Sequence, residues 1–230
     1  MPLDGILLID KSTGMTSHDV VAILRKILHI KKFGHSGTLD PLATGLLITL
    51  IGKGTKLSDS LIGLPKTYEG VIKLGMATDS YDAEGAVTST AAVPPISNDT
   101  LDQLANDFIG EQYQVPPMFS AKKINGQKLY KLARAGKTVE RPPQLINIYD
   151  FKITNFDGSE MTFFVHCSKG TYVRTLANDI GIKLGCGAHL KSLRRTTIGN
   201  FSVENALTLD SIRQLSYEEI LNHVIWPHEL

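Results

Sequence analysis

The sequence has 230 residues, 42% hydrophobic and 20% charged, with 24 Lys and Arg against 23 Asp and Glu. That balance fits a folded domain and excludes a disordered polyelectrolyte or a uniformly basic, RNA-coating chain. Two cysteines, Cys167 and Cys186, cannot build a disulfide framework, no apolar run approaches the ~20 residues of a bilayer span, and Asp4 to Lys11 lacks the basic lead and apolar length of a signal peptide. A cytoplasmic protein without membrane contact is expected.

In chain order, Leu3 to Ile9 reads as a buried strand. Ser17 is placed as the N-cap of a helix whose Val20, Val21, Leu24, Ile27 and Leu28 form one apolar stripe. Leu46 to Ile51 is a central strand between glycines, and Thr67 to Leu74 is another, ended by Gly75. A helix over 99–108 turns Leu101, Leu104, Ala105 and Phe108 inward. Asn125-Gly126 signals a turn, and Lys128 to Ala135 a short helix closed by Gly136. Ile146 to Thr154 and Met161 to His166 flank Asp157-Gly158 as a hairpin. Val173, Leu176, Ala177, Ile180 and Leu184 form a further helix stripe, stopped by Gly185. Strands and helices alternate without a strict βαβ rhythm, which predicts an α+β fold: a mixed, largely antiparallel central sheet flanked by helices and loops. One domain over 1–230 is expected.

Near-zero net charge conceals a strong asymmetry. Phe119 to Arg141 carries seven basic residues against Glu140 alone, and His166 to Arg195 carries six against Asp179. Met76 to Glu111 holds seven acids and no Lys or Arg, and the last stretch from Glu204 is acidic again. Local positive fields on a neutral chain suit a protein that meets a polyanion with one face; either block alone fits a solvated helix surface better, and it is the two together that point to a polyanion.

Several familiar templates fail. Gly185 to Leu190 ends wrongly for a dinucleotide fingerprint, and Gly52-Lys53-Gly54 lacks the rest of a P-loop. His166 and Cys167 are neighbours on a predicted strand and point to opposite faces, so one zinc ion cannot collect both; Asp79, Asp82 and Glu84 do not match an EF-hand. No metal site is expected. Gly34-His35-Ser36-Gly37-Thr38-Leu39-Asp40-Pro41 makes a poor core element and a good functional loop. The segment also permits a plainer reading, with Asp40 capping a helix that starts at Pro41.

Gly34 to Gly45 resembles the signature loop of the bacterial tRNA pseudouridine synthase B family, which isomerises uridine 55 in the tRNA T loop. Asp10 to Ser17 resembles the family's opening motif, with Ser12 where Pro is usual. Gly52 to Lys56, Lys66-Thr67-Tyr68, Gly75 to Gly85, Pro116 to Lys122 with Tyr130 and Arg134, Cys167 to Arg174 and Leu193-Arg194-Arg195 follow in family order. The resemblance implies a pseudouridine synthase fold in which 118–143 is a basic, thumb-like insertion. Asp40 then matches the catalytic carboxylate, acting at C1′ by attack or by assisting elimination. Tyr68 matches the ring that stacks on the flipped uracil and accepts its proton, and Arg174 the arginine paired with the carboxylate. His35 resembles the residue that enters the RNA loop when the target leaves, and Tyr172 and Leu193 resemble pocket walls. Lys56 and Asp82 match RNA contacts, with Lys122, Lys123, Lys128 and Arg134 set along the phosphates.

The same resemblance implies tRNA, through its T stem–loop, as the partner, with no cofactor, no guide RNA, no obligate protein partner and a monomer. Most members continue into a C-terminal PUA domain, whereas 210–230 reads as an acidic tail; weaker and more salt-sensitive RNA binding is expected in consequence. A different class of function, an RNA-binding or tRNA-folding chaperone with secondary or no catalysis, draws on the two basic blocks but has no use for Asp40, Tyr68 and Arg174 together.

Overall fold

The computed structural model describes residues 3–124 and 126–226. The elements run β1 (Gly5–Lys11), α1 (Ser17–Leu28), β2 (Phe33–Ser36), β3 (Thr44–Ile51), a 3-10 turn (Gly52–Leu57), α2 (Ser58–Gly63) and β4 (Lys66–Leu74). Then come β5 (Met76–Thr78), β6 (Val87–Thr90), α3 (Asn98–Asp107), β7 (Gly110–Gln114), β8 (Lys123–Ile124), β9 (Gln127–Lys128) and α4 (Leu129–Arg134). The chain continues through β10 (Gln144–Phe156), β11 (Glu160–Cys167), α5 (Val173–Lys183), β12 (Ala188–Ile198), β13 (Phe201–Ser202), β14 (Leu207–Thr208), α6 (Leu209–Gln214) and α7 (Tyr217–Leu221). Two compact units result, one from residues up to Tyr68 with Leu193 onward, the other from Glu69–Ser192.

In the first unit the strand order is β14-β1-β3-β12, with β2 on β3 and β13 on β12. β1 runs antiparallel to β3, while the β1–β14 and β3–β12 pairs are parallel. Ile6, Leu8, Leu46, Ile48, Leu50, Leu61 and Ile198 form its core. A nearly continuous apolar run such as Leu46 to Ile51, broken only by Thr49 whose buried hydroxyl donates to the Leu7 carbonyl at 2.8 Å, is what a strand covered on both faces requires. Removing such side chains from water, at about 25 cal/mol per Å² of apolar surface, is the main stabilising contribution here.

In the second unit the order is β12-β4-β11-β10-β7, and β10 is antiparallel to both β11 and β7. The hairpin around Asp157-Gly158 forms as its composition predicts, with Gly158 at φ +93°. Leu101, Leu104, Ala105 and Phe108 are all buried, as their spacing predicts. Gly136 and Gly185 take positive φ and stop α4 and the turn after α5. Asn125 of the predicted turn lies outside the described residues.

Three local expectations need correction. The N-cap of α1 is Thr16, in a capping box with Asp19, and not Ser17. The strand at the start is Gly5–Lys11, two residues later than the apolar run suggests, because Asp10 and Lys11 still pair with Leu46 and Gly45. The acidic segment near the end is no loose tail: Leu209, Ile212, Ile220 and Val224 are buried, and Ile6 exchanges backbone hydrogen bonds of 3.0 and 2.9 Å with Ile225.

Candidate active site

Asp40 stands in an irregular loop, 37–43, between β2 and β3. Asp40-Pro41 begins no helix; the local turn closes by Ala43 N–H donating to the Asp40 carbonyl at 3.1 Å. The functional reading of this segment therefore keeps its ground and the capping reading loses it. Part of the segment is nevertheless regular, since Gly34, His35 and Ser36 pair with Leu50, Thr49 and Ile48.

The loop is tied down from several sides of its own unit. Ser17, 1% exposed, accepts from Leu39 N–H at 2.9 Å and lies 3.2 Å from the Leu39 carbonyl, to which it donates. This use explains the cap: with the Ser17 hydroxyl committed to the loop, Thr16 supplies the oxygen that α1 needs. Lys11 is fully buried and donates to the carbonyls of Ser12 and Met15 at 2.9 and 2.8 Å, and to that of Pro41 at 3.4 Å. Gly14 N–H donates to the same Pro41 carbonyl at 2.9 Å, and Thr13 to that of Leu42 at 3.1 Å. The opening motif is thus the clamp of the signature loop. A loop fixed this way holds a carboxylate at one place before substrate arrives. Ser17→Ala strands the buried Leu39 N–H, and a loss of about 1–3 kcal/mol in urea denaturation is expected.

His35 lies on β2, edge-on to His18 with ring centroids 5.2 Å apart. Its Nδ1 is buried without a hydrogen-bond partner among the described residues. Burial first, then the charges of His18 and Arg195, push its pKa down to about 4. His35 is therefore neutral at physiological pH. The two histidines, Val21, Arg25, Phe33 and Gly34 line a cavity of about 400 Å³. The folded state binds the His35 proton less readily than the unfolded chain does. Stability is thus full above the unfolded value near 6.5 and declines as pH falls towards 4. Denaturation midpoints for His35→Asn are expected to lack this part of the acid slope.

Tyr68 sits on β4 and is 8% exposed. Beside it, Lys66 is buried and donates to the carbonyls of Ile62 and Leu64, both at 2.6 Å, at the end of α2. Thr67 is fixed through Thr197 at 2.8 Å. Leu193 is buried, with its carbonyl accepting from Thr44 at 3.4 Å, and Lys56 is exposed on the 3-10 turn.

In the second unit Arg174, 4% exposed, lies at the start of α5. Its Nη1 is 3.4 Å from the Asp82 carboxylate and donates to the Ser80 carbonyl at 3.0 Å; Nη2 donates to Phe119 at 2.8 Å. Asp82 is equally buried and also accepts from Ser80 Oγ and Glu84 N–H. The geometry makes Asp82 a holder of Arg174, a role that no sequence signal marked. Gln114, buried as well, fixes Tyr172 by accepting from its N–H at 2.8 Å and donating to its carbonyl at 3.1 Å. In the basic segment Lys128 and Arg134 flank the Tyr130 ring at 5.5 and 5.6 Å. Lys123 and Arg134 are exposed, while Lys122 donates to Gln144 at 3.2 Å. His35, Asp40, Lys56, Tyr68 and Leu193 thus belong to the first unit. Asp82, Tyr172, Arg174 and the four basic residues belong to the second.

The "TruB family pseudouridylate synthase (N terminal domain)" model matches residues 25–173, and the "tRNA pseudouridylate synthase B C-terminal domain" model matches 174–230. The chain is 53% identical over 223 residues to the tRNA pseudouridine synthase B of Opitutus terrae, covering 97% of this chain and 92% of that one. With the enzyme of the same name from Dechloromonas aromatica it shares 50% identity, covering 93% and 71%. Among solved structures, a chain of a Cbf5-Nop10-Gar1 complex superposes with a TM-score of 0.73 at 28% identity, covering 96% of this chain. This chain spans 59% of the length of that one.

The fold is that of the pseudouridylate synthases, enzymes that isomerise uridine within an RNA chain. Within that class the chain belongs to the TruB family.

Proposed function

We propose that the protein converts uridine 55 in the T loop of tRNA to pseudouridine, with Asp40 as the catalytic carboxylate. The observation that carries this reading is the Asp40 loop: an irregular segment bearing one carboxylate, held by the buried side chains of Lys11, Ser17 and Arg195. The names of the relatives this chain resembles supply the tRNA, and the resemblance of the motifs supplies the position.

The reaction breaks the N1–C1′ bond, turns the uracil and joins C5 to C1′; the C5 proton leaves and N1 gains one, so the product is an isomer of the substrate. An enzyme acting on a base within RNA must first take it out of its stack, and that unstacking costs a few kcal/mol. His35, neutral and on the strand entering the loop, fills the space the base leaves. The Tyr68 ring offers a flat face that grips uracil in any rotational state and a phenol oxygen to receive the C5 proton. Asp40 acts at C1′, and the resemblance gives Arg174, oriented by Asp82, the part of the cation that serves the catalytic carboxylate. By resemblance Tyr172 and Leu193 each have the role of a pocket wall, and Asp82 acts through Arg174. Lys56 and the segment with Lys122, Lys123, Lys128 and Arg134 neutralise phosphates, which position RNA without reading its sequence. The chain works on tRNA alone, as a monomer and without a cofactor, since an isomerisation has no net redox or hydrolytic demand.

The test is to incubate the purified protein with an unmodified tRNA transcript and map every pseudouridine formed. Modification at position 55 alone is expected, with no further component added. Formation elsewhere, or only after a guide RNA or second protein is supplied, contradicts the proposal.

A further inference from the structure

Arg195 is the largest fully buried side chain among the described residues, at 1% exposure. Among the described residues no carboxylate pairs with it. A buried guanidinium without a counter-ion is costly unless its donors are taken up by other groups. Here they are taken up by backbone at the two ends of the Asp40 loop. Nε donates to the Leu46 carbonyl at 2.8 Å, just inside β3, and Nη2 donates to the Gly37 carbonyl at 3.0 Å, just after β2. Nη1 lies 3.6 Å from the place a Cβ on Gly37 would take.

The backbone of Arg195 is equally close to the loop. It pairs in parallel register with Gly45, whose φ is +97°. A Cβ on Gly45 would stand 2.2 Å from the Arg195 carbonyl oxygen, so only glycine permits this approach. One residue therefore sets the separation between the entry and exit of the loop, with Asp40 between them. Ser17 and Lys11 bond within the loop, at the Leu39 backbone and the Pro41 carbonyl, whereas Arg195 bonds at its two ends.

We infer that Arg195 is a positioning residue for the isomerisation, acting on Asp40 by stapling the two ends of its loop. This inference rests on the reading of Asp40 as the catalytic carboxylate. An Arg195 whose only work is to stabilise the fold would change the melting temperature and leave turnover per folded molecule untouched. A positioning residue changes kcat while RNA affinity stays nearly constant, because a displacement of about 1 Å at a reacting group costs on the order of 100-fold.

The experiment measures kcat, KM and melting temperature on a tRNA transcript for wild type, Arg195→Met, Arg195→Lys and Asp40→Asn. Arg195→Met is expected to lose about 30-fold or more in kcat with KM within about threefold of wild type. Arg195→Lys keeps the charge and can bridge only one of the two carbonyls well, so an intermediate kcat is expected. Should Arg195→Met fail to fold, the lysine variant decides: a kcat at least about fivefold below wild type, with KM unchanged, supports the staple. Wild-type kcat in the folded Arg195 variants, alongside an inactive Asp40→Asn, overturns this inference and leaves the Asp40 reading intact. Substantial turnover by Asp40→Asn overturns that reading itself.

Discussion

Asp40→Asn is expected to bind a T-arm stem–loop with near wild-type affinity and to lose turnover by about a thousandfold or more. The bonds that hold the loop run from Lys11, Ser17 and Arg195 to backbone atoms of residues 37, 39, 41 and 46, and the substitution leaves those atoms in place. An amide of the same shape therefore sits where the carboxylate sat. It carries no negative charge to set against a developing positive centre at C1′ and is a poor nucleophile there. Filter binding and single-turnover rates on the same RNA separate the two effects. Residual turnover within about tenfold of wild type removes Asp40 from its assigned role.

The second large effect belongs to the buried pair in the other unit. Arg174 and Asp82 have side chains only 5% exposed each. Deleting the cation leaves a carboxylate in a poorly solvated place, so Arg174→Met is expected to cost about 3–5 kcal/mol of stability as well as abolishing turnover. Asp82→Asn is expected to cost less, about 1–3 kcal/mol, because Arg174 retains the carbonyls of Ser80 and Phe119. Urea denaturation measures both, and the double variant should fall short of the sum because the two residues are in contact. A loss below about 1 kcal/mol in folded Arg174→Met contradicts a structural load on this pair.

What the sequence discloses of this fold follows from periodicity. Helix stripes such as Val20 to Leu28 and Leu101 to Phe108, and the apolar run of β3, are local patterns and appear where predicted. β2 is not legible, because Phe33-Gly34-His35-Ser36 has no alternation; it exists because β3 offers an edge to pair with. β7, reading Gly-Glu-Gln-Tyr-Gln, is polar for the same reason and is held by β10. For the candidate site, motifs mark both the residues proposed to meet substrate and their neighbours, but which of them hold the others is not legible without the packing. A lysine such as Lys11 reads as surface, and its burial against three carbonyls depends on how β1 and the Asp40 loop pack. Asp82 reads as an RNA contact by resemblance, and its hold on Arg174 is visible only in the fold. Ser17 looks like a helix cap by composition, and only the loop's unpaired Leu39 N–H redirects it.

The central claim is that this chain isomerises uridine in the T loop. Its most direct test is hydrogen release from a T-arm stem–loop tritiated at C5 of the target uridine, incubated with the purified protein alone. The new glycosidic bond forms at C5, so each turnover frees one label. Release of nearly all the label, with the RNA mass unchanged, is the predicted result. Intact binding with no release contradicts the account and leaves a protein that holds this RNA without rearranging it.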